Sequence, residues 1–367
     1  MTDPIYEKLR RALQLRGGSL PALDCPEFFA LAKYLFSPEE AELASELPLA
    51  PIPVSGISDK HGKSEEELME IFERMADNCV CFSLDRDNVR HYGLMSLLPG
   101  IFDTQFLRGQ VDERSVRTAH LFKDYYRAIE QMLVETDLKA IPFPMARVIA
   151  VEQEIPQGFE IHPYDKVSEY IEKNEYIAFA HCYCRHYAKL LGEPCSKPAE
   201  GCIAFGRDAK YLLDRKFGWA VTKEEARSFL RRAEEAGLVH CSSNTTKYLT
   251  FFCNCCTCHC SILKSMKKYN KQGSAAVSGF ITEFDPEKCS ACGDCVQRCP
   301  MEALIMQGGD LVYKDSLCIG CGLCSSVCPT GALKLITRKD APVPPRDARE
   351  LNSRLNSTEQ VSSYFKG

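Results

Sequence analysis

Two stretches with the same cysteine spacing decide how the C-terminal part of this chain folds. They are Cys289-Ser-Ala-Cys-Gly-Asp-Cys-Val-Gln-Arg-Cys-Pro300 and Cys318-Ile-Gly-Cys-Gly-Leu-Cys-Ser-Ser-Val-Cys-Pro329. Three cysteines at i, i+3 and i+6 can place three thiolates around one short loop, and thiolates are the soft ligands that iron in a sulfide cluster requires. Zinc sites usually consist of separated Cys-x-x-Cys pairs or Cys/His sets. Two full repeats of this kind therefore favour iron–sulfur over zinc.

On these repeats, residues 280–337 resemble a bacterial-type ferredoxin domain with two 4Fe-4S clusters. The resemblance implies one-electron transfer at low potential, without substrate chemistry at the clusters. It also implies that each cluster takes its fourth ligand from the other repeat. The first cluster is then held by Cys289, Cys292, Cys295 and Cys328. The second cluster is then held by Cys318, Cys321, Cys324 and Cys299.

The composition is ordinary except for its cysteines. A chain of 367 residues predicts two or three domains, and its net charge of −5 argues against a nucleic-acid-binding surface over the whole molecule. In a long intracellular chain, 21 cysteines predict metal ligands rather than disulfides, and so many oxidisable thiols favour an oxygen-poor prokaryotic cytoplasm. We expect a cytoplasmic protein, because we find no apolar run long enough for a membrane span and no secretory leader.

The fold class that we expect is α+β and multidomain, beginning with a mostly helical, winged-helix-like module over residues 1–108. Helices are predicted after the capping residues Ser37 and Ser64. Strands are predicted over 79–84 and 89–94, joined by a turn. Helix, helix and hairpin in this order are typical of a winged helix.

Two uses of this N-terminal module remain open. A DNA-reading module is one, but the candidate recognition helix opens with Glu65, Glu66 and Glu67, which would repel phosphate. A docking or scaffold module is favoured on that ground. Cys79 and Cys81 lie in the predicted strand without further ligands nearby, so we expect buried structural cysteines, and we expect the same of the isolated Cys25.

A connector and a tail flank the cysteine-rich parts of the chain. Residues 109–178 predict the connector, with a helix over 112–137, strands over 147–151 and 176–180, and a short helix through Val167. The tail, residues 341–367, is rich in proline, serine, asparagine and arginine and shows no periodicity. It predicts an irregular arm or partner-docking segment.

A second cysteine field falls within a predicted α/β domain over residues 179–275, ahead of a ferredoxin-like βαββαβ domain over 276–340. Its cysteines come in two bursts, separated by a helix that begins at Thr222. We expect a third cluster at Cys182, Cys184, Cys195 and Cys202. We expect a fourth at four of five cysteines, with one surplus: Cys253, Cys255, Cys256, Cys258 and Cys260. Zinc and redox-active thiols are the alternatives, since tetrahedral thiolate sites serve zinc and iron equally.

Three charged or titratable residues adjoin these bursts. Arg185 and His186 would either neutralise an anionic thiolate cluster or lie solvated at the surface. His259, between two cysteines, is a candidate ligand, although its place between alternating cysteines favours a spectator.

The whole arrangement resembles 4Fe-4S dicluster-domain proteins of anaerobic bacteria and archaea, on its winged-helix-like start, its Cys-x-Cys-Arg and Asn-Cys-Cys bursts and its ferredoxin repeat. Such relatives carry the burst CNCCxCCC, in which His259 here replaces one cysteine. The resemblance implies a partner of a larger oxidoreductase.

Our leading hypothesis is an electron-transfer protein with two 4Fe-4S clusters and one or two further clusters, acting as subunit or adaptor of an anaerobic redox system. We predict no catalytic residue. The alternatives are a redox-sensing DNA regulator and an iron–sulfur reductase of a small substrate. Neither a GxGxxG nor a GxxxxGK[ST] stretch occurs to support flavin or nucleotide chemistry.

Overall fold

The computed structural model describes residues 3–57, 62–135, 144–155, 166–247, 249, 251–269, 275–339, 341 and 343–356. The chain forms two compact units. Unit 1 comprises residues 1–139, 186–194 and 211–218, and unit 2 comprises residues 140–185, 195–210 and 219–367. Two short segments of the predicted 179–275 domain therefore belong to the N-terminal unit.

Unit 1 begins with helices and a small sheet. The helices are α1 (Pro4–Leu15), α2 (Pro26–Leu35), α3 (Pro38–Glu46), α4 (Glu65–Asp77), α5 (Ile101–Leu107) and α6 (Glu113–Glu135). The strands are β1 (Ile52–Pro53), β2 (Cys81–Arg86) and β3 (Val89–Leu94), antiparallel in the order β1-β3-β2. Capping boxes at Ser37 and Ser64 start α3 and α4, which confirms both predicted helix starts. The winged-helix interpretation stays a prediction.

A buried arginine ties together several elements of unit 1. The guanidinium of Arg215, only 4% exposed, donates hydrogen bonds to Glu73 at 2.7 Å and to Ser83 at 3.1 Å. Burial raises the pKa of Glu73, but hydrogen bonds from Arg215, Tyr92 and Arg90 outweigh it and lower that pKa to about 2. This ion pair therefore stabilises unit 1 when the carboxylate is ionised.

Unit 2 contains a seven-stranded sheet in the order β10-β4-β8-β9-β6-β5-β7. Its strands are β4 (Ala146–Ile149), β5 (Ile177–His181), β6 (Glu200–Phe205), β7 (Trp219–Ala220), β8 (Val239–Ser243), β9 (Phe252–Cys255) and β10 (Ala275–Ala276). All neighbouring strands are antiparallel except β10 and β4. The helices between these strands are α7 (Val167–Lys173), α8 (Tyr183–Leu190), α9 (Gly206–Asp214), α10 (Lys223–Glu235) and α11 (Ser261–Tyr269).

The two faces of this sheet differ. On one face, Ile203 of β6 and Phe252 of β9 pack with Phe229 of α10 in an apolar core. Alternate residues of a strand point to opposite faces. Cys202 and Cys253, which pair with each other across β6 and β9, therefore lie on the other face, which we call the cysteine face.

The C-terminal part of unit 2 pairs its first and last strands. Strand β11 (Phe280–Phe284) lies antiparallel to β14 (Leu333–Thr337), and β12 (Leu304–Gln307) forms a hairpin with β13 (Asp310–Tyr313). Helix α12 (Asp294–Arg298) lies within the first repeat and contains Cys295. A single 3₁₀ turn, Ser325–Val327, stands where the predicted βαββαβ order has its second helix. Two serines are weak helix formers, and the proline at 329 prevents extension.

The tail is more ordered than predicted. Helix α13 (Ala348–Asn356) begins after Asp347, whose carboxylate accepts a hydrogen bond from the backbone of Glu350 at 3.1 Å. This capping signal, together with the Glu350–Arg354 ion pair one turn apart, explains the helix. Residues 357–367 lie outside the described part of the chain. Within the described part, no helix combines the length and apolarity that a membrane crossing requires.

Candidate metal centres

Cysteines from both ferredoxin-like repeats line a first cavity. It contains the four predicted ligands of the first cluster: Cys289, Cys292, Cys295 and Cys328. The other walls are small or apolar, among them Ala291 and Leu333. Four soft thiol donors around an apolar space match the chemistry of a 4Fe-4S cluster.

A second cavity is lined by Cys318, Cys321, Cys324 and Cys299, the four predicted ligands of the second cluster. The buried hydroxyl of Thr282 lies 3.4 Å from the Cys324 sulfur and 3.8 Å from that of Cys318. Burial and the neighbouring Cys318 both raise the pKa of Tyr313, whose ring lines the same cavity. This donor set also fits a 4Fe-4S cluster.

The two cavities differ in exposure. At the first, Cys292 is exposed and Cys289 and Cys328 are half-buried. At the second, Cys318, Cys321 and Cys324 are buried, and Leu323 is fully buried. Gly320 lets the second repeat approach β11 closely, because a Cβ there would lie 2.0 Å from the carbonyl oxygen of Phe280. Exposure is one determinant of cluster potential, so the two sites are inequivalent.

The cysteine face of the sheet gathers a larger set of buried thiols. Cys202, Cys253 and Cys241 lie side by side on β6, β9 and β8, and the sulfurs of Cys202 and Cys253 are 3.9 Å apart. Cys255 is two residues beyond Cys253, and its thiol neighbours those of Cys241, Cys253 and Cys260. Cys184 neighbours Cys182 and Cys260. We call these the seven-thiol group: Cys182, Cys184, Cys202, Cys241, Cys253, Cys255 and Cys260.

Two helices start at this group. Cys182 immediately precedes α8, and Cys260 immediately precedes α11. The positive end of a helix dipole favours a thiolate. A hydrogen bond from the Cys184 thiol and the charge of Arg185 lower the pKa of Cys182 to about 7. The hydrogen bonds with Cys182 and Cys260, reinforced by burial, raise the pKa of Cys184.

Arg185 is a buried cation that lies close to Cys182 and Cys255 of this group and also contacts the Cys256 thiol. It is 4% exposed and donates to the carbonyl oxygens of Asn254 at 2.9 Å and Glu200 at 2.8 Å. A Cβ on Gly201 would lie 2.5 Å from both the guanidinium and Cys182, so only glycine leaves room for this packing. The alternative of a solvated surface position is wrong for Arg185, and also for His186, which is 7% exposed and hydrogen-bonded to the carbonyl oxygen of Gln110.

The remaining middle cysteines form a separate three-thiol group: Cys195, Cys256 and Cys258. The sulfurs of Cys195 and Cys256 are 4.0 Å apart, and all three lie within 4.8 Å of one another. Cys256 packs with the apolar core and also contacts the Arg185 guanidinium. The structure thus divides the four cysteines predicted for the third cluster, because Cys195 lies in this group and the others in the seven-thiol group.

Cys241 belongs to the seven-thiol group but was not among the predicted ligands. It lies alone between the two bursts, with no cysteine near it in sequence. The available signal was the strand-like stretch Leu238-Val239-His240 after the helix that begins at Thr222, which could pair with a strand through the second burst. His259 is half-buried beside Cys258, and the three-thiol group includes no histidine among the described residues.

The N-terminal cysteines stand apart from these groups. Cys79 and Cys81 are 3% and 0% exposed, and burial raises the pKa of each thiol to about 12, which confirms the predicted burial. Cys79 adopts φ of +62° and precedes β2 rather than lying in it. The expectation of burial is wrong for Cys25, which is half-buried at the start of α2, where Pro26 begins the helix near the surface.

Strand β4 connects the cysteine face to the second cavity. Val148 of β4 pairs with Cys241, and three residues later the backbone N–H of Val151 donates to the carbonyl oxygen of Cys321 at 3.0 Å. Three residues of extended chain span about 10 Å. Gly322 also packs on Val151, since a Cβ there would lie 3.4 Å from it.

Comparison with known proteins agrees with this C-terminal geometry. Residues 281–329 match the family model of the 4Fe-4S dicluster domain. Over 49 residues the chain is 41% identical to a subunit of the ion-translocating oxidoreductase complex of Methanosarcina acetivorans, and this match covers 13% of the chain and 19% of that protein. The chain therefore spans about a fifth of the length of this relative. The C-terminal part is an iron–sulfur domain of ferredoxin type, with an electron-transfer role.

Proposed function

We propose that this protein transfers single electrons through two 4Fe-4S clusters in its C-terminal domain and through at least one further iron–sulfur cluster in the seven-thiol group. The observation that carries the proposal is the pair of cavities at the two repeats, each lined by three cysteines of one repeat and one of the other. Cys289, Cys292, Cys295 and Cys328 would hold the first cluster. Cys318, Cys321, Cys324 and Cys299 would hold the second.

The further cluster is supported by the number and burial of the thiols on the cysteine face. Seven buried cysteines exceed the four ligands of one cubane, so the group offers either a cubane with spare thiols or a larger cluster. The burst residues Cys253, Cys255 and Cys260 supply part of this set, and Cys182 and Cys184 another part. Arg185 would offset part of the negative charge of the thiolates.

The exposure of the two cavities and the position of β4 support one route for the electrons. The second cavity is buried. The backbone of Val151, just after β4, donates a hydrogen bond to Cys321 of this cavity, and β4 itself pairs with Cys241 of the seven-thiol group. The first cavity is exposed at Cys292. We therefore infer that electrons pass between the seven-thiol group and the second cluster inside unit 2, and reach an external protein at the first cluster.

The partner class is a larger oxidoreductase. Support comes from the matched relative, whose name describes a component of an ion-translocating oxidoreductase complex. The identity covers only 13% of this chain, so the partner is part of the proposal. The clusters carry electrons, and substrate chemistry is assigned to the partner.

Iron and sulfide analysis of the full chain, purified without oxygen, tests the proposal. Two 4Fe-4S clusters supply about eight iron atoms per chain, and the further cluster requires more. The variant Cys253→Ser should lower the iron content toward about eight and leave the remaining paramagnetic signals unchanged. Cys25→Ser is the matched control, because Cys25 lies outside both thiol groups, and it should retain all iron.

Three outcomes are informative. Iron above about eight atoms that is lost in Cys253→Ser supports the full proposal. Iron of about eight atoms in both proteins confines electron transfer to the C-terminal domain. Zinc in place of the additional iron would refute the cluster in the seven-thiol group.

A further inference from the structure

We propose that Cys195, Cys256 and Cys258 form a mononuclear zinc-type site whose fourth coordination position is open to a soft external ligand such as a small thiol. This site is distinct from the iron–sulfur clusters, and its existence does not depend on them.

Packing against the apolar core separates the three-thiol group from the seven-thiol group. Cys255 is the last residue of β9, and the next residue, Cys256, packs in the apolar core and contacts Arg185. Cys255 joins the cysteine face, whereas Cys256 packs among the apolar side chains beneath α10, where Cys195 also packs. A cluster in the seven-thiol group would therefore use Cys255 and leave Cys256 free for a second site.

The spacing of the three sulfurs fits one metal ion. A tetrahedral zinc ion with Zn–S bonds of about 2.3 Å places its thiolates about 3.8 Å apart. The sulfurs of Cys195 and Cys256 are 4.0 Å apart, and those of all three cysteines lie within 4.8 Å. The three-thiol group is therefore preformed for a single ion.

The fourth position is the feature that suggests binding of an external molecule. Structural zinc sites are closed by four protein ligands, whereas sites that act on a bound molecule keep one position open. The described residues supply three ligands to this group. Cys256 is buried, Cys195 is half-buried and Cys258 is exposed, so the group reaches from the apolar core to the surface. A ligand at the fourth position would enter from the side of Cys258, and three thiolates favour a soft donor.

Metal analysis and cobalt substitution of the full chain test the site. Zinc should be found at one equivalent per chain beside the iron. Co²⁺ exchanged into the site should give the absorption of a tetrahedral thiolate complex. Cys258→Ser should abolish this absorption and lower the zinc content while leaving iron unchanged. Its side chain is exposed, so the variant is expected to fold, and Cys195→Ser provides a second, half-buried test.

The matched control is Cys25→Ser, also a half-buried cysteine, which should change neither metal. Addition of 2-mercaptoethanol to the cobalt-substituted chain should shift the visible bands in a saturable way, because sulfur would fill the open position. If the visible bands do not respond to 2-mercaptoethanol, the proposal of an open fourth position is wrong. Loss of iron rather than zinc in Cys258→Ser would overturn the mononuclear site and place these cysteines in an iron cluster. If the electron-transfer proposal were wrong, the result would be different: the chain would contain no iron but would still bind zinc.

Discussion

Removal of the Thr282 hydroxyl should lower the reduction potential of the 4Fe-4S cluster that we propose for the second cavity. This hydroxyl lies 3.4 Å from the Cys324 sulfur and 3.8 Å from the Cys318 sulfur, and Thr282 is 4% exposed. A hydrogen bond to a thiolate stabilises the reduced cluster more than the oxidised one, because reduction adds negative charge. In Thr282→Val the shape is nearly kept and the donor is lost, with no room for a replacing water.

The size of the effect follows from the energy of such bonds. A hydrogen bond to a charged group contributes about 1.5–3 kcal/mol. If roughly a third of that differs between the two oxidation states, the difference is about 0.5–1 kcal/mol, and at 59 mV per tenfold change for one electron this is roughly 20–40 mV. Thr282→Val should therefore shift one midpoint potential by roughly that amount in the negative direction.

An anaerobic redox titration followed by electron paramagnetic resonance measures both midpoints. The matched control is Thr330→Val, whose hydroxyl lies 3.7 Å from the Cys328 sulfur at the first cavity but is exposed. Water can replace that donor, so the control should shift the other midpoint less. A positive shift in Thr282→Val, or equal shifts in the two variants, would refute the role of the buried donor.

Three further changes have defined outcomes. Cys184→Ser replaces a buried soft ligand of the seven-thiol group and should remove iron beyond about eight atoms, measured by iron analysis, whereas retention of all iron would contradict its role. Cys81→Ser should leave the iron content unchanged and lower the denaturation midpoint modestly, and loss of iron there would make Cys81 a ligand. The ion pair of Glu73 with Arg215 should stabilise unit 1 fully above the ordinary carboxyl pKa of 4.5 and lose its contribution as pH falls toward the folded value of about 2. Solvent screening of the half-exposed Glu73 reduces this contribution to about 1–2 kcal/mol. Urea unfolding should therefore show the wild type losing its advantage over Arg215→Met between about pH 5 and about pH 2, and a pH-independent difference would contradict the pair.

Local spacing made parts of this structure predictable. A capping box involves four consecutive residues, so the starts of α3, α4 and α10 at Ser37, Ser64 and Thr222 follow from sequence. The two cavities follow for a related reason, since each repeat wraps three cysteines around one loop. The fourth cysteine of each set came from the ferredoxin resemblance rather than from spacing.

The middle cysteines could not be grouped from spacing because strand pairing is long-range. Cys195 and Cys256 meet across 61 positions, and Cys202 and Cys253 across 51. Neighbours in sequence are a poor guide at a strand end, where alternation sends them to opposite faces. Cys241 belongs to the group only because β8 pairs with β9.

The charge of the seven-thiol group argues that metal binding and folding of the cysteine face are linked. Seven buried thiolates would repel one another strongly, and Arg185 brings only one positive charge into contact with them. Without metal the thiols must remain largely protonated, as the raised pKa values of Cys184 and Cys253 indicate. Iron bound there, as proposed, would require these protons to leave and would supply the missing positive charge at the same moment. Loss of iron should therefore loosen the contacts between β6, β8 and β9 as well as ending electron transfer.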